Sequence, residues 1–592
     1  MSLLVLQFTL KFVRGIIVAK GSDNIKNLLI DVGSSFIKYC VFDTTKETEL
    51  CGGRIPFPER TGDGFRIEAC RIVSSVKNIF DICKEHSPRR AFFSVQMHGY
   101  LTKCGQEISP YISWREGGAS SENAVKLDVE WDKLGTSCKD NLPLLKLFGE
   151  KRYDIFYTLG SYLMHELAGV NATHVTDACA SGYYYADNGA LNGYAPASSM
   201  PRAYTEVSPV GDYCGCTLYT PVGDHQASFL GCCREDAYLL NIGTAAQLSC
   251  VEYSGKAGEN REARPYFEAE KRLYTVNGLI AKGKYGVADD VSGFLERLDN
   301  AIDVLPKKHH AVIGGGGAAD VYGIISDHLE KKGVSCSQVK NIGIEGLKRL
   351  ALFARPLIGT MLSELNFPNF PIIAKNAKLD FFIIDNEHGA FDYSFLGQVI
   401  MNSRLCDMQA VIRIGDSSRA NVTKLCDMGA TGFLLPMTNS AEDIMKVIRY
   451  AKYVPEGERG ISTTRAHTLY SPPPLEEYIG AANRKMKIYA QIETVRGVEN
   501  ASGILAVKGV DGVFIGPNDL SADRRCGFDK KKLKEYITAV AKAAVAAKKP
   551  WGIITASDEL TELALDLGAA MISRGSELNM LINGCKKVKE RF

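Results

Sequence analysis

From Ile344 to the C-terminus, short apolar runs recur at near-regular intervals: FFIID, AVIRI, GFLLPM, KIYAQIE, GVFIG, WGIITA and AAMIS. Between them lie amphipathic stretches such as SAEDIMKVIRYAKYV and LKEYITAVAKAAVAAKK. This alternation predicts strands and helices in turn, hence a parallel sheet, whose most economical closed form over this length is a (β/α)8 barrel. The strands end in polar residues: Asp385 to His388 after FFII, Arg413 in AVIRI, Gln491 and Glu493 in KIYAQIE. In such barrels the C-terminal strand ends face the active site.

The pattern before Ile344 is different. From Asn27 to Gly343, β-branched runs end in Gly- and Ser-rich turns, as in LLIDVGSS, AFFSVQMHG, YLLNIGTAAQLSC and HAVIGGGGAAD, with helical stretches between. The chain therefore divides into an N-terminal extension (1–26), a first α/β domain (27–343) and the barrel (344–592). No Pro- or Ser-rich linker marks Asn341–Leu347, so the two domains are expected to touch. The opening MSLLVLQFTLKFVRGIIVAK is broken by Lys11 and Arg14, leaving too short a run for a spanning helix. Val18-Ala19-Lys20 makes a poor cleavage site. The segment reads as an extension, with a targeting signal or a surface helix as alternatives.

Composition narrows the class. A chain of 592 residues exceeds one core, and 45% hydrophobic with 23% charged residues is ordinary for a soluble protein. A net charge of +2 gives no electrostatic case for nucleic acid or an acidic membrane surface. The 17 cysteines show neither a disulfide framework nor paired CxxC motifs. Reduced thiols and a cytoplasmic location are expected.

The barrel half carries candidate chemistry. Glu493 and Asp519 end two successive strands, an arrangement that suits a divalent ion with open positions for water and substrate. Asp519 also reads as a helix N-cap before LSAD. His388, beside Asp385 and Glu387, fits proton transfer near neutral pH, or a strand-end histidine bonded to backbone. Arg413, in an apolar strand, needs an anionic partner: a neighbouring Asp, or a substrate carboxylate or enolate.

The strings IGTMLSE, IIDNEHGAFD, VIRI, KLCDMGATGFLLPM, PEGERG, QIETVRGVEN, GVDGVFIGPNDLSA and LALDLGA run in order from about Leu347 to the C-terminus. Together they resemble the HpcH/HpaI class II pyruvate aldolases. The resemblance implies Glu493 and Asp519 as ligands of Mg2+, Mn2+ or a similar ion, with Gln491 beside it. Pyruvate would be held there, Arg413 would stabilise its enolate oxygen, and His388, held by Asp385, would shuttle the hydroxyl proton. Asp427 would lie behind these groups, and Gly516 and Pro517 would leave room for ligand. Ser576 stands where the family often reads GSD, with Glu577 in place of that Asp. The implied substrate is a 2-keto-3-deoxy sugar acid cleaved to pyruvate and an aldehyde. Lyase chemistry on coenzyme A thioesters is the alternative, and a homo-oligomer built through the barrel is expected.

In the first domain, the turn of LLIDVGSSFIKYCVFD can hold phosphate on its backbone N–H groups, with Asp31 organising Mg2+; an ordinary hairpin is the alternative. Its residues Asp31, Gly33, Ser34, Ser35 and Lys38, the turn at Gly243 and Thr244, and the run containing Gly315 and Gly316 resemble the phosphate and adenosine motifs of the actin-like (ribonuclease H-like) ATPase fold. TPVGDHQASFLG resembles the segment of FGGY-type carbohydrate kinases that carries the catalytic base, here Asp224. SVQMHGY and YISWREG resemble that family's sugar-contacting segments, implying that Gln96, His98 and Trp114 line the sugar pocket, with a core position as the alternative for Trp114. RPYFEAEKRLYTVNGLIAKGKYGVADDVSGFLE brings the xylulokinase- and sedoheptulokinase-like members closest. ATP is the implied cofactor. The span from Asp224 to Gly343 is shorter than the family's second lobe, which leaves open a compact active kinase or a sugar- or nucleotide-binding regulator of the barrel.

Overall fold

The computed structural model describes residues 26–590 except 45, 61–64, 118–122, 124–126, 128–129, 137–141, 149–152, 244, 254–260, 269, 281–285, 355 and 548. The extension up to residue 25, and Thr244, lie outside the described residues. The chain forms two compact units, dividing between Leu352 and Phe353.

The first unit contains two sheets of like plan. In one, β1 (Lys26–Val32), β2 (Phe36–Asp43) and β3 (Thr48–Pro56) form an antiparallel meander, and β1 pairs in parallel with β4 (Arg90–Val95). Beyond β4 lie β5 (Pro209–Tyr213) and β6 (Cys216–Tyr219), giving the order β5-β6-β4-β1-β2-β3, while Val222–Gly223 pairs with the end of β4. Every residue of β4 is buried, as expected of a parallel strand covered on both faces.

The second sheet repeats this plan. It holds β7 (Ala237–Ile242), β8 (Ala246–Tyr253), β9 (Glu262–Pro265), β10 (Lys271–Val276), β11 (His310–Gly314) and β12 (Ser335–Val339), in the order β9-β10-β8-β7-β11-β12. Again the first strand runs antiparallel to the second and parallel to the one reached by a crossover, here β11. The lobe that the sequence shows to be short thus keeps a complete six-stranded sheet. This duplicated strand order is that of the actin-like ATPase fold.

Two helices knit the unit. The first, α1 (Asp224–Cys232), meets α2 (Ile342–Ala354) where Gly231 faces Gly346. A Cβ on Gly346 would lie 2.0 Å from the Ala227 carbonyl oxygen, so only glycine permits the approach. The boundary at 343/344 read from the sequence is therefore displaced. Position 343 falls inside α2, and that helix packs on α1 within the first unit.

The second unit is a closed barrel of eight parallel strands: β13 (Leu357–Leu362), β14 (Phe381–Asn386), β15 (Gln409–Ile414), β16 (Gly432–Leu435), β17 (Lys487–Ile492), β18 (Gly512–Ile515), β19 (Trp551–Thr555) and β20 (Met571–Ser576). All seven runs named above form strands, and LIGTML supplies the eighth. The two amphipathic stretches are helices at Ala441–Ala451 and Lys530–Ala546. Alternation sets the interior. Phe381, Ile383, Val411, Leu434, Tyr489 and Phe514 fill the barrel lumen, while Phe382, Ile384, Ile412, Ile488 and Ile515 pack outward under the helices. Among the described residues no helix is long and apolar enough to cross a membrane.

Candidate active sites

The inward alternation delivers the barrel site. Continuing Phe381 and Ile383 by two residues gives Asp385; continuing Val411 gives Arg413; continuing Tyr489 gives Gln491 and then Glu493. Asp385 and Arg413 are partners across neighbouring strands. Arg413 Nε donates to Asp385 Oδ1 at 2.9 Å and Nη2 to Oδ2 at 2.6 Å, a paired geometry suited to a buried guanidinium. Arg413 Nε also lies 3.3 Å from Glu387 Oε2. Burial raises the Asp385 carboxyl, but Arg413 and two backbone N–H groups outweigh it and hold the group below its usual range.

That pairing corrects one sequence expectation. Asp385 does not hold the His388 ring: its carboxylate is taken up by Arg413, and Oδ1 accepts the backbone N–H groups of Glu387 and His388, each at 3.2 Å. The His388 side chain is 73% exposed, and its Nε2 lies 3.8 Å from Glu387 Oε2. Glu387 is thus the carboxylate beside both functional groups, and burial raises its pKa.

Glu493 follows β17 and is buried. Its Oε1 accepts the Met437 N–H and its Oε2 the Gln491 amide, each at 2.5 Å. Burial pushes its pKa up to about 7, and the nearby charges of Asp519 and Glu387 add to the rise. A Cβ on Gly516 would sit 2.6 Å from Glu493 Oε2 and 2.9 Å from Gln491 Nε2, so this glycine lets the loop close over both side chains. Asp519 is exposed in the first turn of α3 (Pro517–Ala522), three residues past the Gly516 N-cap, so it is not itself the cap. No cluster of three or more His, Cys, Asp or Glu with metal-holding geometry occurs among the described residues. A two-carboxylate set does fit a hard divalent ion. Glu493 is a buried acid under repulsion from two others, and the buried Gln491 Oε1 has no partner among the described residues.

Asp427 does not join this site within one chain. It ends the helix Arg419–Asp427, which descends from the mouth, and so lies at the N-terminal end of the barrel. There Arg459 Nη2 donates to its Oδ1 at 2.7 Å. Ser576 closes β20, and its hydroxyl bonds Asn579 Oδ1 at 3.2 Å. Glu577 beside it is buried and accepts from the loop after β13, a role sequence reasoning missed.

In the first unit the ends of parallel strands gather the candidates. Ser94 Oγ donates to Asp31 Oδ1 at 2.7 Å, and Lys38 Nζ lies 3.7 Å from Oδ2. Gly343, at the start of α2, faces the same carboxylate: a Cβ there would be 2.3 Å from Oδ2. Gln96 Nε2 reaches the Gly33 carbonyl at 3.4 Å, and Arg115 Nη2 reaches Ser34 Oγ at 3.3 Å, tying the WREG segment to the glycine-serine turn. Ser35 is exposed in that turn. Trp114 is half-buried, with the Arg115 guanidinium 5.5 Å from its ring centre. His98 takes a left-handed backbone, φ 62°, with Nδ1 2.8 Å from the Ala180 carbonyl oxygen.

Asp224 opens α1. Burial and the field of Asp31 push its pKa up to about 7, against the opposing pull of Arg264. Arg264 is held by Glu262 at 2.7 Å and His225 Nδ1 at 2.9 Å. Since arginine only donates, His225 accepts at Nδ1 and is neutral, donating from Nε2 to Ser249 Oγ at 2.9 Å. His98, Thr176, Gln226 and Arg264 line a cavity next to this helix. In the second sheet, the turns after β7 and β11 adjoin. Gly315 has φ 106°, its Cβ position lies 2.3 Å from the Ile242 carbonyl oxygen, and Gly317 N–H bonds that oxygen at 2.9 Å. Gly243 N–H closes its own turn on Ala245, and a Cβ on Gly316 would meet open space.

Fold and site together define a (β/α)8-barrel enzyme with an acidic, arginine-bearing mouth, preceded by a domain of two like sheets. The chain belongs to the HpcH/HpaI aldolase/citrate lyase family, whose model matches residues 362–584. It is 32% identical over 243 residues to the 4-hydroxy-2-oxo-heptane-1,7-dioate aldolase of Salmonella typhimurium, covering 40% of this chain and 90% of that one. The solved HpcH/HpaI aldolase of Desulfitobacterium hafniense is 34% identical, covering 40% of this chain and 92% of that one, with a TM-score of 0.38. The xylulose kinase of Lactobacillus acidophilus aligns at 13% identity, covering 55% of this chain and 88% of that one, with a TM-score of 0.48.

Proposed function

We propose that the barrel cleaves a 2-keto-3-deoxy sugar acid to pyruvate and an aldehyde, using a divalent cation such as Mg2+ or Mn2+ held by Glu493 and Asp519. The observation that carries this reading is the inward set at the barrel mouth: Arg413 locked by Asp385, with buried Glu493 and half-partnered Gln491 facing the same space. The cation, when bound, supplies Lewis-acid polarisation of the 2-oxo group. Arg413, oriented by Asp385, offers positive charge where the enolate oxygen develops, a preorganised contact that strengthens as the bond breaks. The solvent-facing His388 accepts the proton of the C4 hydroxyl while the C3–C4 bond breaks. The bonding pair becomes the enolate, and a proton returned to C3 completes pyruvate. Gln491, through its unpartnered Oε1, and Gly516, through its lack of a side chain, give the bound acid a polar contact and room. The Salmonella relative is by name an aldolase of a 4-hydroxy-2-oxo acid, which supports this reaction type.

For the first unit the proposal is ATP-dependent phosphorylation of a sugar. Asp224 would be the base toward the attacking hydroxyl, with its pKa of about 7 suited to that task. The glycine turns at Gly33, Gly243 and Gly315 would lie against phosphate and adenosine, and Gln96, His98 and Trp114 against the sugar. The two halves together read as a bifunctional carbohydrate-catabolic enzyme that assembles through the barrel.

A coupled pyruvate-release screen of 2-keto-3-deoxy sugar acids, with and without EDTA, tests the barrel, and ATP consumption on a ketose panel tests the first unit. EDTA-sensitive pyruvate release is expected. Release untouched by EDTA, or by Glu493→Ala, would remove the cation from the scheme. ATP binding without ADP formation, in parent and Asp224→Ala alike, would make the first unit a regulator.

A further inference from the structure

The turn after β14 sets one carboxyl oxygen between two groups that the aldolase reading assigns to the substrate. Glu387 Oε2 lies 3.3 Å from Arg413 Nε and 3.8 Å from His388 Nε2. The Glu387 backbone is held on two sides. Its N–H donates to Asp385 Oδ1 at 3.2 Å, and a Cβ on Gly415, just past β15, would lie 3.2 Å from its Cα. The Glu387 side chain is 20% exposed against 73% for His388, so it is the sheltered member of the pair. Burial raises its carboxyl, while Arg413 and His388 pull it down.

That position has a chemical meaning. In a 4-hydroxy-2-oxo acid, C3 lies between C2, whose oxygen the aldolase reading gives to Arg413, and C4, whose hydroxyl it gives to His388. A carboxylate that reaches both residues therefore stands beside C3. Cleavage leaves a proton on His388 and requires one at C3, two bonds away from where it was taken. The exposed His388 ring is free to turn and close the 3.8 Å gap to Glu387, so a proton can pass between them.

We infer that Glu387 is the catalytic acid toward C3, carrying the proton from His388 to the enolate; the inference rests on the aldolase reading of the barrel. As the C3–C4 bond breaks, the hydroxyl proton passes to the His388 imidazole and the aldehyde leaves. The imidazolium gives a proton from Nε2 to Glu387 Oε2. Glu387 then delivers it to C3, where the enolate electron pair forms the new C–H bond. Glu387 ends ionised and His388 neutral, as each began, so no further reactant is consumed. In the addition direction the same carboxylate takes a methyl proton from pyruvate.

The test is exchange of the pyruvate methyl protons in D2O with Mn2+ present, followed by NMR in the full chain. Pyruvate is common to every substrate of the class, so the probe does not depend on the aldehyde. Glu387→Gln should slow exchange by about 10²-fold, the scale of one general acid–base group, and Glu387→Asp should recover part of it. His388→Asn, which removes the group at the C4 hydroxyl, should lose cleavage of the pyruvate–glyceraldehyde adduct yet still exchange, because Glu387 can release its proton to water. Calorimetric titration of oxalate, a planar mimic of the enolate, with Mn2+ present gives a readout without turnover. Its binding to Glu387→Gln should be at least as tight as to the parent. Exchange unimpaired in Glu387→Gln overturns the inference. So does exchange lost in His388→Asn, which would put the histidine itself at C3. Oxalate binding that weakens as far as exchange slows overturns it too, since that marks a carboxylate that only steadies Arg413. A parent that shows no exchange is a separate failure: it removes the aldolase reading, and this inference with it.

Discussion

Glu493 is the residue on which pH acts most directly. Its native pKa of about 7 exceeds its ordinary value of 4.5, so between those limits the native state holds more protons than the unfolded one. Stability of the cation-free barrel therefore falls as pH rises from about 4.5 toward 7, because ionisation must occur in a buried, like-charged site. Thermal melts in EDTA should show Tm declining over that window, and saturating Mn2+ should flatten the decline. A Tm that rises through the same window would contradict the placement of Glu493 among acids. Arg413 supports a second expectation. Arg413→Lys keeps the charge but loses the two parallel bonds to Asp385. The kcat for pyruvate release should drop by about 10²-fold, the order seen when one preorganised donor is removed. On the proposed kinase reading of the first unit, Asp224 must be ionised to act as a base, so ADP formation on a ketose should fall away below about pH 7 and vanish in Asp224→Asn. At this scale the sequence was partly legible. The Asp385–Arg413 pair could have been found by registering two neighbouring parallel strands, and the end of the barrel holding Asp427 by noting that its helix closes just before a strand begins. The Glu577 contact lay beyond reach, because it joins positions 214 apart through backbone N–H groups that carry no side-chain signature.

Elements carry their own lesson. The barrel strands were readable because each is a short apolar run with polar residues at one end, and parity then sorts lumen from helix-facing residues without further information. The eighth strand, LIGTML, lacks a uniform apolar run, and it was recognised only as part of a family string. Helix α2 was missed as a member of the first unit for a similar reason. Its sequence, IGIEGLKRLALFA, looks like any amphipathic helix, and only the glycine pair Gly231 and Gly346 shows which partner it fits. Overpacking costs about 1–3 kcal/mol, and Gly346→Ala should destabilise the first unit by that order, read as a lowered midpoint in urea. The midpoint of the barrel should stay put. Equal shifts in both would show that α2 is not confined to the first unit.

For the whole molecule, two compact units predict two unfolding events, and the helix boundary predicts where the chain can be cut. A fragment of residues 26–354 keeps α2 and should fold, whereas one ending at 343 loses the helix that backs Asp31 and α1. Circular dichroism and light scattering on the two fragments would check this, and a well-folded 26–343 would refute the role given to α2. The division into two halves was plain in the sequence from the change of pattern, but its exact position was not, since no compositional break accompanies it. Both units are carried by one continuous chain. A cell that makes this chain thus receives both units in strict one-to-one number. Gene dosage cannot alter their ratio, so any balance between the two throughputs must be written into turnover rates and affinities alone.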